Sequence, residues 1–509
     1  MAHSTAAVLI LGLVCSTLLM SIRTAYRKHL RSIPGPCLAR FTGVYRLSLV
    51  WKGDAPEQYR NVHAKHGKIV RVGPNHVSVS DPSEIQTIYG VGSKFLKTEF
   101  YTLMGPFYKG DVMHTTFSTR DPAYHRNLRS QVAAVYSMSN VRKLECYADE
   151  CSAIFIDAMK ARCADPIDIA PWLQWYAFDV IGGLTFQRRF GFMEKAGDID
   201  NMIGGLDVAQ SYAQFVGQFP KLHDYLFGSR VLMGTLKRVF PNLPDPLDRF
   251  MAIAEEEIVR YNTTVHQDGS RGDILAQLQA TKDGQVPFRD VVNHITNNLI
   301  AGSDTTAISL RACIYYLLKT PHAYHALQGE IDAAFASGRL SEFVTYEEST
   351  KLPYLQATIK EAMRLHPGVG FPLERHVPPE GAVLCGKYLP GGTNVSMTAP
   401  VVHHDRTIFG DDAESFRPER WLETDEVRLK QMDRCSLAFG HGARSCSGKN
   451  ISLMEMGKFI PVLLRNFELE WASEKPEWTT YCAWFWKQSD MLVRLKLRRQ
   501  GDTKGLPES

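Results

Sequence analysis

The sequence predicts a mainly α-helical fold with small β-sheets, arranged as a single large domain behind an N-terminal transmembrane helix. Three observations carry this. Residues 289–319 (RDVVNHITNNLIAGSDTTAISLRACIYYLLK) are apolar on several faces and stop before Pro321, as a helix buried through the middle of a molecule would. Strand-like alternation is confined to a few short segments. An uncharged apolar run (AAVLILGLVCSTLLMSI) occupies residues 6–22. A chain of 509 residues could hold two or three domains, but no Pro/Ser-rich or low-complexity stretch interrupts it after Pro34 until the last few residues, and no repeat marks a solenoid.

The elements follow in order. The 6–22 run is at the lower length limit for a span; Arg23, Arg27, Lys28 and Arg31 follow it and only His3 precedes it. Basic residues stay on the cytoplasmic side, so residues 1–22 are expected to be an anchor with the body in the cytosol. A cleaved signal peptide would carry its basic residues before the apolar run. Residues 23–36 form a basic and Pro-rich hinge, with Pro34-Gly35-Pro36 as a stiff turn; 37–498 are the body and 499–509 a polar tail. Alternation around Gly73-Pro74-Asn75 predicts a β-hairpin over 69–80, and the pattern is then mostly helical to about 365. Thr345 to Glu348 form a capping box, and a helix over 353–366 stops at Pro367. Short strands at 382–384 and 394–398, a helix after Gly448, and closing strands at 467–471 and 491–497 complete the chain.

Composition excludes some function classes. The net charge is +4 from 58 basic and 54 acidic residues, and the basic residues are scattered, which leaves no nucleic-acid footprint. Ten cysteines at dispersed positions include no CxxC pair; Cys146 and Cys151 have half of an iron–sulfur spacing but no third ligand two residues on. That usage fits a reducing compartment.

The most specific signal is Phe439-Gly-His-Gly-Ala-Arg-Ser-Cys-Ser-Gly448. A thiolate that binds iron needs a loop in which backbone N–H groups can turn towards sulfur, and Gly440, Gly442 and Gly448 surround Cys446. A helix beginning just after the cysteine adds the positive end of its dipole. Arg444 is placed to reach a haem propionate. Five fixed residue types at five set positions would arise by chance in roughly one chain in ten thousand of this length.

This loop resembles the FxxGxRxCxG pattern of the cytochrome P450 family, matched at Phe439, Gly442, Arg444, Cys446 and Gly448. Three further motifs resemble the family's in the same order. Glu361 and Arg364 match its ExxR helix, i,i+3 on one face, and 416–421 (FRPERW) match its PERF-type loop; a buried Glu361 could bind Arg364 and Arg420 together and lock the Cys446 loop. Read alone, an ExxR pair is usually a solvated face. Residues 301–306 (AGSDTT) match the oxygen-activation segment. There, small residues such as Ala301 leave room for dioxygen, Thr305 donates a hydrogen bond to it, and Asp304 relays protons. His125 and Arg129, i,i+4 on a helix, and Arg375 match propionate-binding positions, although many members have Trp where this chain has His125.

The resemblance covers residues 34–498 and is nearest to fungal microsomal members, including the pisatin demethylase-like group. It implies a cytochrome P450 fold, haem b held by Cys446, and a monooxygenase fed by NADPH-cytochrome P450 reductase, with cytochrome b5 as an optional second donor. It also implies the endoplasmic reticulum membrane and an apolar small-molecule substrate of fungal secondary metabolism, touching Phe107, Phe371 and Trp484. Two rivals remain open: an isomerase, dehydratase or peroxygenase that needs no reductase, and a non-catalytic haem sensor or carrier.

Overall fold

The 289–319 pattern becomes one unbroken helix, Phe288–Lys319, in a computed structural model that describes residues 16, 19, 21–240, 247–264, 272–280 and 286–498. All but a few residues of the 6–22 run lie outside the described residues, as does the 499–509 tail. Among the described residues no helix is long and apolar enough to cross a membrane.

The Phe288–Lys319 helix is central because it is apolar nearly all round, and a helix of that kind must be covered on every side. The helices Glu145–Lys160, Ile169–Phe186, Pro353–Leu365 and Lys449–Asn466 share its core. Their ends follow local chemistry. Asp168 caps Ile169–Phe186 by accepting the Ala170 N–H. Thr345 and Glu348 form the expected capping box, and Pro353–Leu365 ends one residue before His366-Pro367. Pro461 lies inside Lys449–Asn466, which sequence patterning did not anticipate.

The predicted hairpin forms as Ile69–Gly73 and His76–Val79, paired antiparallel. Its second strand pairs in parallel with Asn394–Ser396, then come Arg375–His376 and Leu96–Lys97 at the edge. The expected closing strands form as Phe467–Trp471 and Leu492–Leu497, paired antiparallel, with Ile167–Asp168 added to them.

The 23–36 stretch is folded onto the first strand. Arg71 is fully buried there and donates to the carbonyls of Thr24 (2.8 Å) and Ala25 (2.9 Å), while its own N–H meets Pro34 O at 2.7 Å. Leu30 and Ile33 fill the space beneath. A buried guanidinium is tolerated because carbonyl oxygens satisfy it.

Candidate active site

The central helix, the Met202–Val216 helix, the edge of the five-stranded sheet and the 439–448 loop enclose a cavity of about 360 Å³. Of the residues singled out by sequence, His125, Arg129, Ala301, Thr305, Arg375, Phe439, Arg444, Cys446, Gly448, Phe107 and Trp484 line it. Gly442, Asp304 and Phe371 do not.

The loop is shaped around its cysteine. The Cys446 N–H donates to Phe439 O at 2.8 Å, closing a tight turn through Gly440 (φ +67°) and Gly442 (φ +62°). A Cβ on Gly442 would stand 2.0 Å from Tyr89 O, so both backbone and space demand glycine there. Gly448 differs from expectation: its φ is −83° and open space surrounds the position of a Cβ, so the polypeptide itself does not require glycine. That open space belongs to the cavity. Cys446 is open to the cavity rather than to the outer surface. Burial pushes its thiol up, opposed by the N–H groups of Gly448 and Lys449 and the charges of Arg129 and Lys449, all of which favour the thiolate.

The cavity wall carries several basic side chains and, among the described residues, no carboxylate. Lys97, Arg129, Arg375 and Arg444 line it with His125. Burial, with Arg375 and Arg444 nearby, holds the Lys97 ammonium well below its usual range. Burial and Arg375 bring Arg444 down to about 10, and burial, Arg444, Lys97 and Arg129 bring His125 down to about 3. The cations are held in place by protein carbonyls and hydroxyls: Arg129 to Ser445 O (2.6 Å), Arg444 to Thr119 O (3.0 Å), Arg375 to the Tyr101 hydroxyl (3.0 Å) and Glu374 O (2.8 Å). Buried, unpaired cations are costly unless an anion joins them. Haem, which carries two carboxylates and an iron that takes a thiolate, fits this combination of wall and loop.

On the central helix, the Thr305 hydroxyl donates to Ala301 O at 2.8 Å, so reaching any other acceptor requires its rotation. Gly302 has a packing role. It admits the neighbouring helix, since a Cβ there would stand 2.9 Å from Ile181 Cδ1. Asp304 turns away from the cavity and is buried, its oxygens accepting from Gln174 Nε2 (2.7 Å) and Gln210 Nε2 (3.0 Å). Burial raises its carboxyl, with Arg311 opposing. Phe371 sits in an aromatic cluster with Tyr101 and Trp484, where those rings fill the space around it.

Behind the loop, Glu361, Arg364 and Arg420 meet in the interior. Arg364 forks onto both Glu361 oxygens (2.8 and 2.7 Å), Arg420 Nε reaches Oε1 at 3.2 Å, and Trp421 Nε1 donates to Oε2 at 2.9 Å. Burial works to raise the Glu361 carboxyl, but Arg364 and Arg420 hold it below the usual range. His403 joins this cluster to the loop. Its Nε2 accepts the Leu437 N–H at 2.8 Å, which leaves Nδ1 to donate to Arg364 O at 2.9 Å.

Sequence reasoning missed Lys97, Gln210 and His403. Lys97 and Gln210 belong to no local pattern. His403 precedes the 416–421 motif and carries no signal of its own; only the fold brings each to its partners.

Comparison with known proteins agrees with this geometry. The family model described as Cytochrome P450 matches residues 39–496. The chain is 38% identical over 483 residues to cytochrome P450 monooxygenase cicH of Emericella nidulans, covering 94% of this chain and 96% of that one. It is 36% identical over 482 residues to cytochrome P450 monooxygenase gsfF of Penicillium aethiopicum (92% and 94% covered). It is 35% identical over 486 residues to a pisatin demethylase of Fusarium vanettenii (93% and 90%).

Proposed function

Because this chain belongs to the cytochrome P450 family, enzymes that bind haem through a cysteine thiolate, we propose that Cys446 supplies that thiolate and that the protein is a reductase-driven monooxygenase acting on an apolar small molecule. One observation carries the reading: a single cavity joins the Cys446 loop, four basic side chains with no carboxylate among the described lining residues, and the Ala301–Thr305 face of the central helix.

Bound haem would supply the chemistry of dioxygen activation, with the thiolate favouring O–O cleavage. The residues do the rest. The N–H groups of Gly448 and Lys449 favour the thiolate against the burial that raises the Cys446 thiol. Lys97, Arg129, Arg375, Arg444 and the neutral His125 would hold the two haem carboxylates. Ala301 leaves space beside Thr305, whose hydroxyl positions a proton, and Asp304 supplies protons from its buried site. The Asp304–Thr305 pair favours this reading over a haem-thiolate isomerase, dehydratase or peroxygenase, which has less need of a proton relay.

Phe107, Met104, Ile300, Val369 and Phe485 on the wall suit an apolar substrate. We infer hydroxylation, epoxidation or demethylation in fungal secondary metabolism, with electrons from NADPH-cytochrome P450 reductase and cytochrome b5 in support; the relatives are named as cytochrome P450 monooxygenases and a pisatin demethylase. The 6–22 run serves as the anchor in the endoplasmic reticulum. An exposed apolar set on the body, Leu222, Tyr225, Phe227, Val231, Val239 and Phe240, would suit a membrane surface. The test is reconstitution: NADPH consumption that requires both reductase and substrate, together with the Soret band of a carbon-monoxide-bound thiolate haem that Cys446→Ala abolishes. Turnover without reductase, or the same band in Cys446→Ala, would overturn the assignment.

A further inference from the structure

Two amides hold Asp304, and they are not equivalent. Gln174 is braced on both sides: its Nε2 donates to Asp304 Oδ1 at 2.7 Å, and its Oε1 accepts from Arg311 at 3.0 Å. Arg311 is itself fixed to Ala170 O at 2.8 Å. Gln210 is braced on one side only. Its Nε2 donates to Asp304 Oδ2 at 3.0 Å, while its buried Oε1 has no partner. A carboxylate can only accept, so an amide that serves Asp304 must present its nitrogen and leave its oxygen to whatever else is there. Leaving Asp304 costs one hydrogen bond, and any donor that reached Gln210 Oε1 would offset part of that cost. Gln210 is therefore held at one end only, and a ligand that offers Oε1 a donor or takes up its space can bias the amide between the two arrangements.

Gln210 is also the partner of Asp304 that borders the cavity, on the wall formed by the Met202–Val216 helix; Gln174 does not line it. We propose that Gln210 is a positioning residue that couples occupancy of the cavity to Asp304. A substrate lying against this wall draws or pushes the Gln210 amide off Oδ2. Asp304, still held by Gln174, then turns its freed oxygen towards Thr305. Until a substrate displaces it, Gln210 keeps the carboxyl turned away from Thr305, which restrains proton delivery. This rests on the reading of Asp304 as the proton source.

The test uses the holoenzyme and two azoles that both ligate haem iron but differ in reach: imidazole, and the bulky clotrimazole. The Asp304 carboxyl band in infrared difference spectra is identified by its loss in Asp304→Asn. Clotrimazole is expected to shift that band and imidazole to leave it in place. In Gln210→Leu, and in the closer isostere Gln210→Met, the band is expected at the shifted position already, unmoved by either azole. With reductase and no substrate, NADPH oxidation by these variants is expected to rise about threefold or more. A band that clotrimazole does not move, or Gln210 variants with the wild-type band, overturn the coupling. If the band behaves as expected while Asp304→Asn leaves the ratio of product to peroxide unchanged, the coupling stands and the proton-source reading falls.

Discussion

Lys97 and Arg375 stand directly opposite one another in an antiparallel strand pair, and both line the cavity. Like charges in that register repel. The aromatic rings of Tyr101 and Phe117, 4.2 and 4.3 Å from the Lys97 ammonium, and the Tyr101 hydroxyl on Arg375 soften the conflict without removing it. A protein keeps such a pair where a ligand will neutralise it.

Lys97→Met should therefore weaken haem retention without abolishing it. A charge-assisted hydrogen bond to a carboxylate is worth about 1.5–3 kcal/mol, so loss of haem to an excess of acceptor protein should accelerate by about ten- to a hundredfold. The carbon-monoxide spectrum should keep its thiolate position, since Cys446 is untouched. An unchanged rate of haem loss would remove Lys97 from the carboxylate site.

Glu361→Gln and Arg364→Lys should each yield protein that is made but holds little haem. The pair is buried, and removing one partner strands the other at a cost of about 3–5 kcal/mol. Lysine cannot reproduce the fork that Arg364 makes while also serving His403 O and Ala413 O at 2.8 and 2.7 Å. Normal haem content in both variants would show that the network does not support the loop.

What the sequence made legible follows from the range of the interactions. The Phe288–Lys319 helix, the hairpin at Ile69–Gly73 and His76–Val79, and the Thr345 capping box were readable because periodicity and capping are local. The glycines at 440 and 442 were readable because a tight turn needs them. Lys97 was not, because its role arises from pairing with a strand almost three hundred residues away. Asp304 was identified as a site residue, but its orientation was not, since the amides of Gln174 and Gln210 that hold it come from two other helices. Phe371 looked like a pocket wall until Tyr101 and Trp484 claimed its surface.

Acid should destabilise the fold through buried histidines. Burial lowers His366 and His403 to about 3 and His294 to about 4. Their folded values lie below the unfolded one, so their contribution is complete above about pH 6.5 and is lost as pH falls towards the folded values. Each such group costs about 1.4 kcal/mol per pH unit in that window, and the urea midpoint should fall steeply between pH 6.5 and 5. The His366 ring lies tilted against Trp486, centroids 4.2 Å apart, and its Nε2 has no partner, so His366→Phe should flatten the slope at little cost. A slope identical to wild type would show that His366 titrates normally.

Asn262, Asn394 and Asn450 all match the glycosylation acceptor pattern, and none should carry sugar. Asn394 and Asn450 spend their amides inside the fold, on His76 Nε2 (2.8 Å) and Tyr136 O (2.9 Å). Asn262 is exposed near the end of the Asp248–Thr264 helix, so it is the informative site. A body on the lumenal side would be modified there. Endoglycosidase-sensitive mass on the native protein would reverse the proposed topology.

Thr305→Ala should uncouple the enzyme and leave its haem in place. Splitting dioxygen requires two protons at the oxygen that departs as water, and a proton delivered to the other oxygen releases hydrogen peroxide. The Thr305 hydroxyl lies on the cavity wall and is parked on Ala301 O at 2.8 Å, a bond it can exchange for another by rotation about one side-chain torsion. The helix does not depend on that bond, because backbone hydrogen bonds run through the segment and Ser309 takes up Thr305 O at 3.1 Å. Alanine is the better helix former and removes little volume, so stability and the carbon-monoxide spectrum should be retained. What alanine removes is one donor at the branch between product and peroxide. A hydrogen bond of about 0.5–1.5 kcal/mol net shifts that branch by up to about tenfold. NADPH oxidation should continue, with peroxide rising and product falling by matching amounts. Product per NADPH equal to wild type would mean that the hydroxyl only packs against Ala301, and that protons reach dioxygen by another path.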